Sequence, residues 1–246
     1  MPVSKNKLVF GRHPVLEIIH AGNPIEKILL QQDIRGDFEK ELRHLCKNLQ
    51  IPIQVVPKER INKISTQNHQ GVIAFLSTIR YYDLNDVLPV LFEGKHQPIV
   101  MVLDGITDVR NMGAIARTAE GAGVGALVVP GKNTAAINAE AMKTSAGALA
   151  TIPVCRHHSL VNAIQLLKDF GFYILASDLK AQHSLDKIDL NRPVAFILGS
   201  EDQGVSPSLL KAANETFLLQ LRGQIDSYNV SVAAGMMLYE AMRQQE

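Results

Sequence analysis

Three polar, glycine-rich segments carry the side chains best suited to binding a ligand or doing chemistry: 104–123, 199–204 and 221–235. Glycines let main-chain N–H and C=O groups approach a bound molecule closely. Taken singly, each polar residue also has a local explanation, because Asn and Asp cap helices and Arg pairs with acids. The side chains that we expect to form one polar cluster are Asn111, Arg117, Glu201, Ser227 and Asn229.

The positions of these segments relative to apolar runs support a shared site. The runs IVMVL, ALVVP, FYILAS and VAFIL are nearly continuously apolar, as is typical of parallel strands covered on both faces. The first segment directly follows IVMVL, the second follows VAFIL, and the third precedes a long helical pattern, VSVAAGMMLYEAMRQQ. Further helices are predicted around 113–122, 139–149 and 160–170. Because ligands bind beyond the carboxyl ends of such strands, we expect the site there.

The chain before this region has a shorter α/β rhythm. The segments KILLQQ, IPIQVV and VIAFLS are predicted strands, and FEKELRHLCKNLQ repeats apolar residues at helical spacing. The pattern weakens between Thr78 and Pro98. We therefore predict an α/β protein with a small domain at residues 1–78, a linker at 79–98 and a mostly parallel-sheet domain at 99–246.

Composition indicates a folded globular protein, with 46% hydrophobic and 20% charged residues among 246. No apolar run approaches the roughly 20 residues that cross a bilayer, and the N-terminus lacks the apolar stretch of a signal peptide. We expect a cytoplasmic protein with no membrane partner. Cys46 and Cys155 lie far apart and outside any metal-ligand spacing, so we expect two buried free thiols and no metal site.

Two segments partly resemble common cofactor-binding motifs, but each lacks features that the motif requires. GAGVG, at 121–125, falls after a helix and before a strand, whereas a dinucleotide loop must follow a strand and open a helix. GKNT, at 131–134, lacks the ending and the upstream glycine of a phosphate loop. The sequence therefore gives little support to a nucleotide-dependent enzyme of small molecules.

The three segments contain NMGAIARTA, ILGSEDQG and SYNVSVAAG, which in this order resemble the signature motifs of the SpoU/TrmH family of SPOUT-class RNA methyltransferases. The resemblance covers residues 99–246. It implies transfer of a methyl group from S-adenosylmethionine (AdoMet) to an RNA ribose 2′-hydroxyl. It further implies a C-terminal trefoil knot that holds AdoMet, and a homodimer whose active sites draw residues from both subunits.

The N-terminal FGRHPVLEII and HQGV resemble the substrate-binding domain of family members that methylate a guanosine ribose in 23S ribosomal RNA. That domain is similar to small ribosomal proteins that bind RNA. Residues 1–78 hold eleven Lys/Arg and seven Asp/Glu, a balance of +4 in a chain of net charge +1. Phosphate attraction would concentrate there, although random variation in surface charge explains the imbalance equally well.

The resemblance assigns roles to individual residues. Arg117 lies nearest the reacting hydroxyl with Asn111 beside it, Glu201 orients the arginine or the substrate, and Ser227 and Asn229 complete the pocket. An arginine has a pKa above 12, so we expect Arg117 to position the hydroxyl and the adjacent phosphate rather than act as an ordinary base. AdoMet is expected to be held mainly by the backbone around Gly199, Leu219 and Tyr228.

Tyr228 departs from the family pattern, which usually has leucine at this position. Tyrosine keeps an apolar contact but adds a hydroxyl that needs a hydrogen-bond partner. The departure bears on the strength of AdoMet binding more than on the type of reaction.

Two alternatives stay open. The same chemistry could act on transfer RNA, although the separate N-terminal domain favours ribosomal RNA because the simplest transfer-RNA members carry short extensions instead. A non-catalytic RNA-binding or ribosome-assembly factor could retain the fold, but the intact polar set at the three motifs argues against this.

Overall fold

The computed structural model describes residues 8–246, and the chain divides into two compact units, the first ending at Arg80 and the second beginning at Tyr81. Residues 1–7 lie outside the described residues, so the structure does not test the prediction that the N-terminus lacks a signal peptide. The elements of the first unit are β1 (Leu8–Phe10), α1 (Arg12–His20), β2 (Ile25–Gln31), α2 (Asp37–Asn48), β3 (Ile53–Val56), α3 (Lys58–Asn62) and β4 (Val72–Leu76).

The first unit is a four-stranded sheet of order β1-β4-β2-β3, in which only β2 and β3 run parallel. The helices α1 and α2 contribute Val15, Ile19 and Leu42 to a core against one face of this sheet. Alternate residues of β4 point to opposite faces, so Val72 belongs to that core and Ile73 to a smaller cluster with Ile61 of α3. The predicted small α/β unit is therefore present.

The second unit holds seven strands, six helices and two short 3₁₀ turns. Its elements are β5 (Tyr81–Tyr82), α4 (Leu84–Leu91), β6 (Ile99–Leu103), α5 (Val109–Gly121), β7 (Ala126–Pro130), α6 (Ala139–Thr144), β8 (Val154–His157), α7 (Leu160–Asp169), β9 (Tyr173–Ser177), β10 (Val194–Leu198), α8 (Pro207–Ala212), β11 (Glu215–Phe217) and α9 (Val230–Gln245).

All seven strands of the second unit run parallel, in the order β11-β9-β10-β6-β7-β8-β5. Every residue of the central strands β6 and β10 is buried, which is why their sequences are continuously apolar. The predicted mainly parallel sheet is confirmed. Because β9, β10 and β6 are neighbours, the chain segments that follow these strands leave the sheet at the same edge.

Residues 81–91, which the sequence analysis placed in a linker, form β5 and α4 of the second unit. β5 forms the edge of the sheet by pairing with β8, and Leu84, Val87 and Leu88 of α4 are buried in the core of this unit. Two-residue strands and eight-residue helices give little periodic signal in a sequence, which accounts for the difference.

The helix predicted over 139–149 is shorter than expected. α6 ends at Thr144, and a separate 3₁₀ turn follows at Ala148–Ala150. The backbone between them is left-handed at Ala146 (φ 50°) and Gly147 (φ 91°), so an α-helix cannot continue through these residues. Alanine gives no hint of this reversal, because it is the strongest helix former.

Cys46 and Cys155 are both free and buried, as predicted, one in each unit. Burial raises the pKa of each thiol to about 12. Among residues 8–246, no helix is both long enough and apolar enough to span a membrane.

Candidate active site

The loop after β10 requires glycine where the strand ends. A Cβ atom on Gly199 would lie 1.9 Å from the carbonyl carbon of Gly204 and 2.1 Å from the amide nitrogen of Val205. The turn is closed by the amide of Gly204, which donates to the carbonyl of Ser200 at 2.9 Å. The backbone at 199–205 therefore folds back on itself so tightly that a side chain at position 199 would displace it.

The loop after β6 is tied to the same place. The amide of Asp104 donates to the carbonyl of Leu198 at 2.7 Å, and the Asp104 carboxylate accepts a hydrogen bond from the amide of Ser206 at 2.8 Å. Asp108 then begins α5 by accepting hydrogen bonds from the amides of Arg110 and Asn111, each at 2.8 Å. These bonds place Asn111 in the first turn of α5.

Three of the predicted side chains meet in one hydrogen-bonded cluster, which we call the amide clamp: Asn111, Glu201 and Asn229. Oε1 of Glu201 accepts from Nδ2 of Asn111 at 3.0 Å and from Nδ2 of Asn229 at 2.7 Å. The same Nδ2 of Asn229 lies 3.1 Å from Oδ1 of Asn111, to which it also donates. Each residue belongs to a different predicted segment, so the clamp joins all three segments.

Asn229 has a second role at the start of α9. Its Oδ1 accepts from the amide of Ser231 at 3.0 Å and from the hydroxyl of Ser231 at 2.6 Å. One side chain thereby caps the last helix and holds Glu201. Asn229 therefore links the start of α9 to the loop after β10.

A cavity of about 590 Å³ opens beside the clamp. Its lining comes mainly from 177–180, 198–205, 217–219 and 226–228, which follow β9, β10 and β11 or precede α9. This volume lies within the range of about 300–1,000 Å³ that small-molecule and cofactor sites occupy. The cavity lies at the carboxyl ends of parallel strands, where the sequence predicts it.

The structure places most of the predicted site residues at this cavity. Gly199, Leu219 and Tyr228, predicted to hold a cofactor, all line it, as do Glu201 and Ser227. Asn111 and Asn229 reach it through the clamp. The hydroxyl of Tyr228 finds its partner in the carbonyl of Gln220, at 3.0 Å.

Arg117 is the predicted residue that the chain does not bring to the cavity. It is exposed on α5 and is not part of the cavity lining. Arg117 is six residues from Asn111, so it points about 120° away around the helix. Within residues 8–246 it makes no hydrogen bond or ion pair.

Sequence analysis missed a fourth contributor, the loop after β9. Asp178, Leu179 and Lys180 line the cavity, and the Asp178 carboxylate accepts from the amide of Lys180 at 3.0 Å. The strand FYILAS was identified correctly, and applying the strand-end argument to it would have found this loop. Its lack of glycine made it less conspicuous than the other three.

The described residues contain no group of three His, Cys, Asp or Glu side chains that could hold a metal ion. Acidic residues nevertheless predominate around the cavity. Asp178, Glu201, Asp202 and Asp226 are among the lining residues, with Lys180 as the one basic residue of that lining. The arrangement therefore favours a ligand that carries positive charge.

Comparison with known proteins covers nearly the whole chain. Residues 98–239 match the SpoU rRNA Methylase family, and residues 8–82 match a domain described as RNA 2′-O ribose methyltransferase substrate binding. A Staphylococcus saprophyticus protein assigned to the TrmH family of tRNA/rRNA methyltransferases is 33% identical over 238 residues, covering 97% of this chain and 96% of that protein.

Solved structures show the same fold. The AdoMet-bound rRNA methyltransferase from Sinorhizobium meliloti is 24% identical with a TM-score of 0.62, covering 96% of this chain and 87% of that one. The A. aeolicus TrmH/SpoU tRNA modifying enzyme is 29% identical with a TM-score of 0.56, covering 65% of this chain and 83% of that one. The former is similar to this chain through both units, whereas the latter leaves about a third of it unmatched.

Proposed function

Because the chain belongs to the SpoU rRNA methylase family of RNA methyltransferases, we propose that it methylates a ribose 2′-hydroxyl, with a guanosine of 23S ribosomal RNA as its target. The observation that carries this proposal is the amide clamp, which draws the three predicted motifs together beside one cavity. The proposed site of action is the cytoplasm, where bacterial ribosomes assemble.

The volume and the charge of the cavity suit AdoMet. AdoMet has a sulfonium and an ammonium group against one carboxylate, and four acidic residues with one lysine line the cavity. Gly199 lines this cavity in a turn that leaves no room for a side chain, because a Cβ there would overlap the backbone of Gly204 and Val205. In this proposal the backbone at Gly199, Leu219 and Tyr228 holds the cofactor, and AdoMet supplies an electrophilic methyl group.

The amide clamp gives Glu201 a fixed orientation at the cavity. Two amide groups donate to the same carboxylate oxygen, which leaves Oε2 of Glu201 available to a ligand or to an arginine. Holding reactants in line contributes a large part of the barrier reduction in group transfer. We assign to the clamp, with Ser227 on the lining, the task of fixing the reacting ribose against the methyl donor.

Arg117 must reach the reaction from outside the cavity lining, and a second copy of the chain offers a route. α9 presents a stripe of exposed apolar side chains on one face: Val232, Met236, Tyr239 and Met242. We propose that this stripe forms a homodimer, as the family resemblance implies. Arg117 of one subunit would then serve the cavity of its partner, where it positions the hydroxyl and the neighbouring phosphate.

The first unit is proposed to bind the RNA and the second to carry out transfer. The family match to a substrate-binding domain falls on residues 8–82, and this part of the chain carries the excess of Lys and Arg. Ribosomal RNA is favoured over transfer RNA because the transfer-RNA enzyme above matches only 65% of this chain. Transfer RNA stays the second candidate, since the curated relative is assigned to both substrates.

A labelled-methyl assay tests the proposed function. Total RNA from a strain lacking this gene is incubated with the protein and methyl-labelled AdoMet, then separated into 23S, 16S and transfer RNA and digested to nucleosides. We expect label in 2′-O-methylguanosine from the 23S fraction. Label in transfer RNA alone would support the second candidate, label on a base would overturn ribose methylation, and no label in any fraction would indicate a non-catalytic RNA-binding factor.

A further inference from the structure

The chain between β11 and α9 forms an irregular loop beside the cavity. No backbone-to-backbone hydrogen bond joins two residues of 219–228 in the described structure. The residues at 222–227 are also exposed, so burial does not hold them in place. A segment with neither a backbone ladder nor buried side chains has a low free energy of local opening.

One side-chain contact closes this loop. The hydroxyl of Tyr228 donates a hydrogen bond to the carbonyl of Gln220 at 3.0 Å, so the residues just before and just after 221–227 are joined. We call this contact the loop latch. It lies between two fixed points: β11, which pairs with β9 through Phe217, and Asn229, which caps α9 and belongs to the amide clamp.

The latched loop supplies part of the cavity. Leu221, Asp226, Ser227 and Tyr228 all line it, with Tyr228 half-buried. A ligand that contacts these residues must bear the entropy cost of ordering them unless the loop is ordered beforehand. The hydrogen bond between Tyr228 and Gln220 therefore strengthens binding by ordering the loop in the unliganded protein, which lowers the entropy cost of binding.

We propose that Tyr228 is a positioning residue for AdoMet, whose hydroxyl orders the loop at 221–227 before the cofactor arrives. This inference rests on the proposed function, because it takes AdoMet as the occupant of the cavity. It also accounts for tyrosine at a position where the resembled family usually has leucine. Leucine keeps an apolar contact but cannot form the latch.

Tyr228→Phe removes the hydroxyl and retains the ring, and Tyr228→Leu tests the family residue. A hydrogen bond of this kind contributes a modest net free energy, so we expect AdoMet to bind about fivefold more weakly to both variants in calorimetry. The loss should appear in KM for AdoMet rather than in kcat. Trypsin should cleave after Arg222, an exposed residue of this loop, faster in Tyr228→Phe than in the wild type when no cofactor is present.

Tyr173→Phe is the matched control. Tyr173 also makes one hydroxyl hydrogen bond, to Glu215 at 3.1 Å, but it lies outside the cavity lining. We expect this variant to bind AdoMet as the wild type does. Equal affinity of wild type and Tyr228→Phe, unchanged cleavage after Arg222, or an equal loss in Tyr173→Phe would each overturn the latch. Failure of the wild type itself to bind AdoMet would instead remove the proposed function on which the latch rests.

Discussion

At the scale of single residues, the site depends on close approach and on shared hydrogen bonds. Asn111, Glu201 and Asn229 were predicted to cluster from their motifs, and the structure brings them within 2.7–3.1 Å of one another. The pairing itself could not be predicted, because Asn111 and Asn229 are 118 residues apart. The exposure of Arg117 could not be predicted either, because a sequence motif does not show which residues pack against each face of a helix.

Gly199→Ala should abolish AdoMet binding. The added Cβ would lie 1.9 Å from the carbonyl carbon of Gly204, so the turn at 199–205 must move. We expect no measurable heat of AdoMet binding at concentrations that saturate the wild type. Gly121→Ala is the control, because a Cβ there meets nothing within 4 Å, and it should bind normally. Wild-type affinity in Gly199→Ala would refute the backbone role of this turn.

Arg117→Ala should abolish methyl transfer while leaving AdoMet binding nearly intact. Arg117 does not line the cavity, and its proposed role is to position the RNA hydroxyl and phosphate. We expect a loss of at least about 100-fold in kcat, with an unchanged Kd for AdoMet.

Arg110→Ala provides the comparison for Arg117, because Arg110 is an exposed arginine of the same helix that pairs with Glu140 at 3.1 Å. It should keep most of the activity. Turnover retained in Arg117→Ala would remove Arg117 from the mechanism.

At the scale of elements, buried strands were predictable and helix ends were not. IVMVL and VAFIL could be predicted as strands because they are continuously apolar. They are apolar because both faces of β6 and β10 are buried. α5 was predicted to begin near 113 but begins at Val109, because Asp108 caps it. The trefoil knot implied by the family resemblance stays a prediction. Short elements such as β5 and α8 have too few residues to show a period.

Asn229→Ala should affect both stability and activity. Loss of the cap of α9 costs about 1 kcal/mol of unfolding free energy, and loss of the amide clamp frees Glu201. Ser159→Ala is the control. The Ser159 hydroxyl caps α7 by accepting a hydrogen bond from the amide of Asn162, and Ser159 is far in sequence from every clamp residue. Both variants should melt at lower temperature, but only Asn229→Ala should lose methyl transfer. Equal activity in the two variants would mean that the clamp serves folding alone.

The apolar stripe of α9 predicts a dimer that a charge can disrupt. Tyr239 is 68% exposed in the single chain, so Tyr239→Glu should fold normally yet place a charge in the proposed interface. Light scattering after gel filtration should show a dimer for the wild type and a monomer for this variant. Val161→Glu, at an exposed position of α7, should stay dimeric. A monomeric wild type would contradict the proposed assembly.

At the scale of the whole molecule, each unit carries one buried thiol that reports its own opening. Burial raises the pKa of Cys46 and of Cys155 to about 12, so at pH 8 only about one thiol in 10⁴ is ionised. A thiolate-specific reagent should label neither cysteine in the native protein within minutes and both after denaturation.

Single Cys→Ala variants assign each labelling rate to one unit. Raising the pH should speed labelling, because a larger fraction of each thiol is then ionised. Rapid labelling of one cysteine at pH 8 would mean that its unit opens readily or that its thiol is accessible.

The division into units shows what a sequence can and cannot indicate about the whole chain. Two α/β rhythms were visible, but the boundary was predicted as a linker at 79–98, whereas the second unit already begins at Tyr81. A cavity lies at the sheet edge where the sequence predicts the site, but the sequence analysis did not include the loop at 177–180 that lines it. Strand order decides which loops meet, and strand order cannot be read from local patterns.

The central claim is that three separate motifs build one AdoMet site beside the amide clamp. A crystal structure of the chain grown with AdoMet tests this most directly. We predict the cofactor in the cavity lined by 177–180, 198–205, 217–219 and 226–228, in contact with the backbone at Gly199, Leu219 and Tyr228. AdoMet bound at any other place, or the loops that bear Asn111, Glu201 and Asn229 lying apart from one another, would contradict the account.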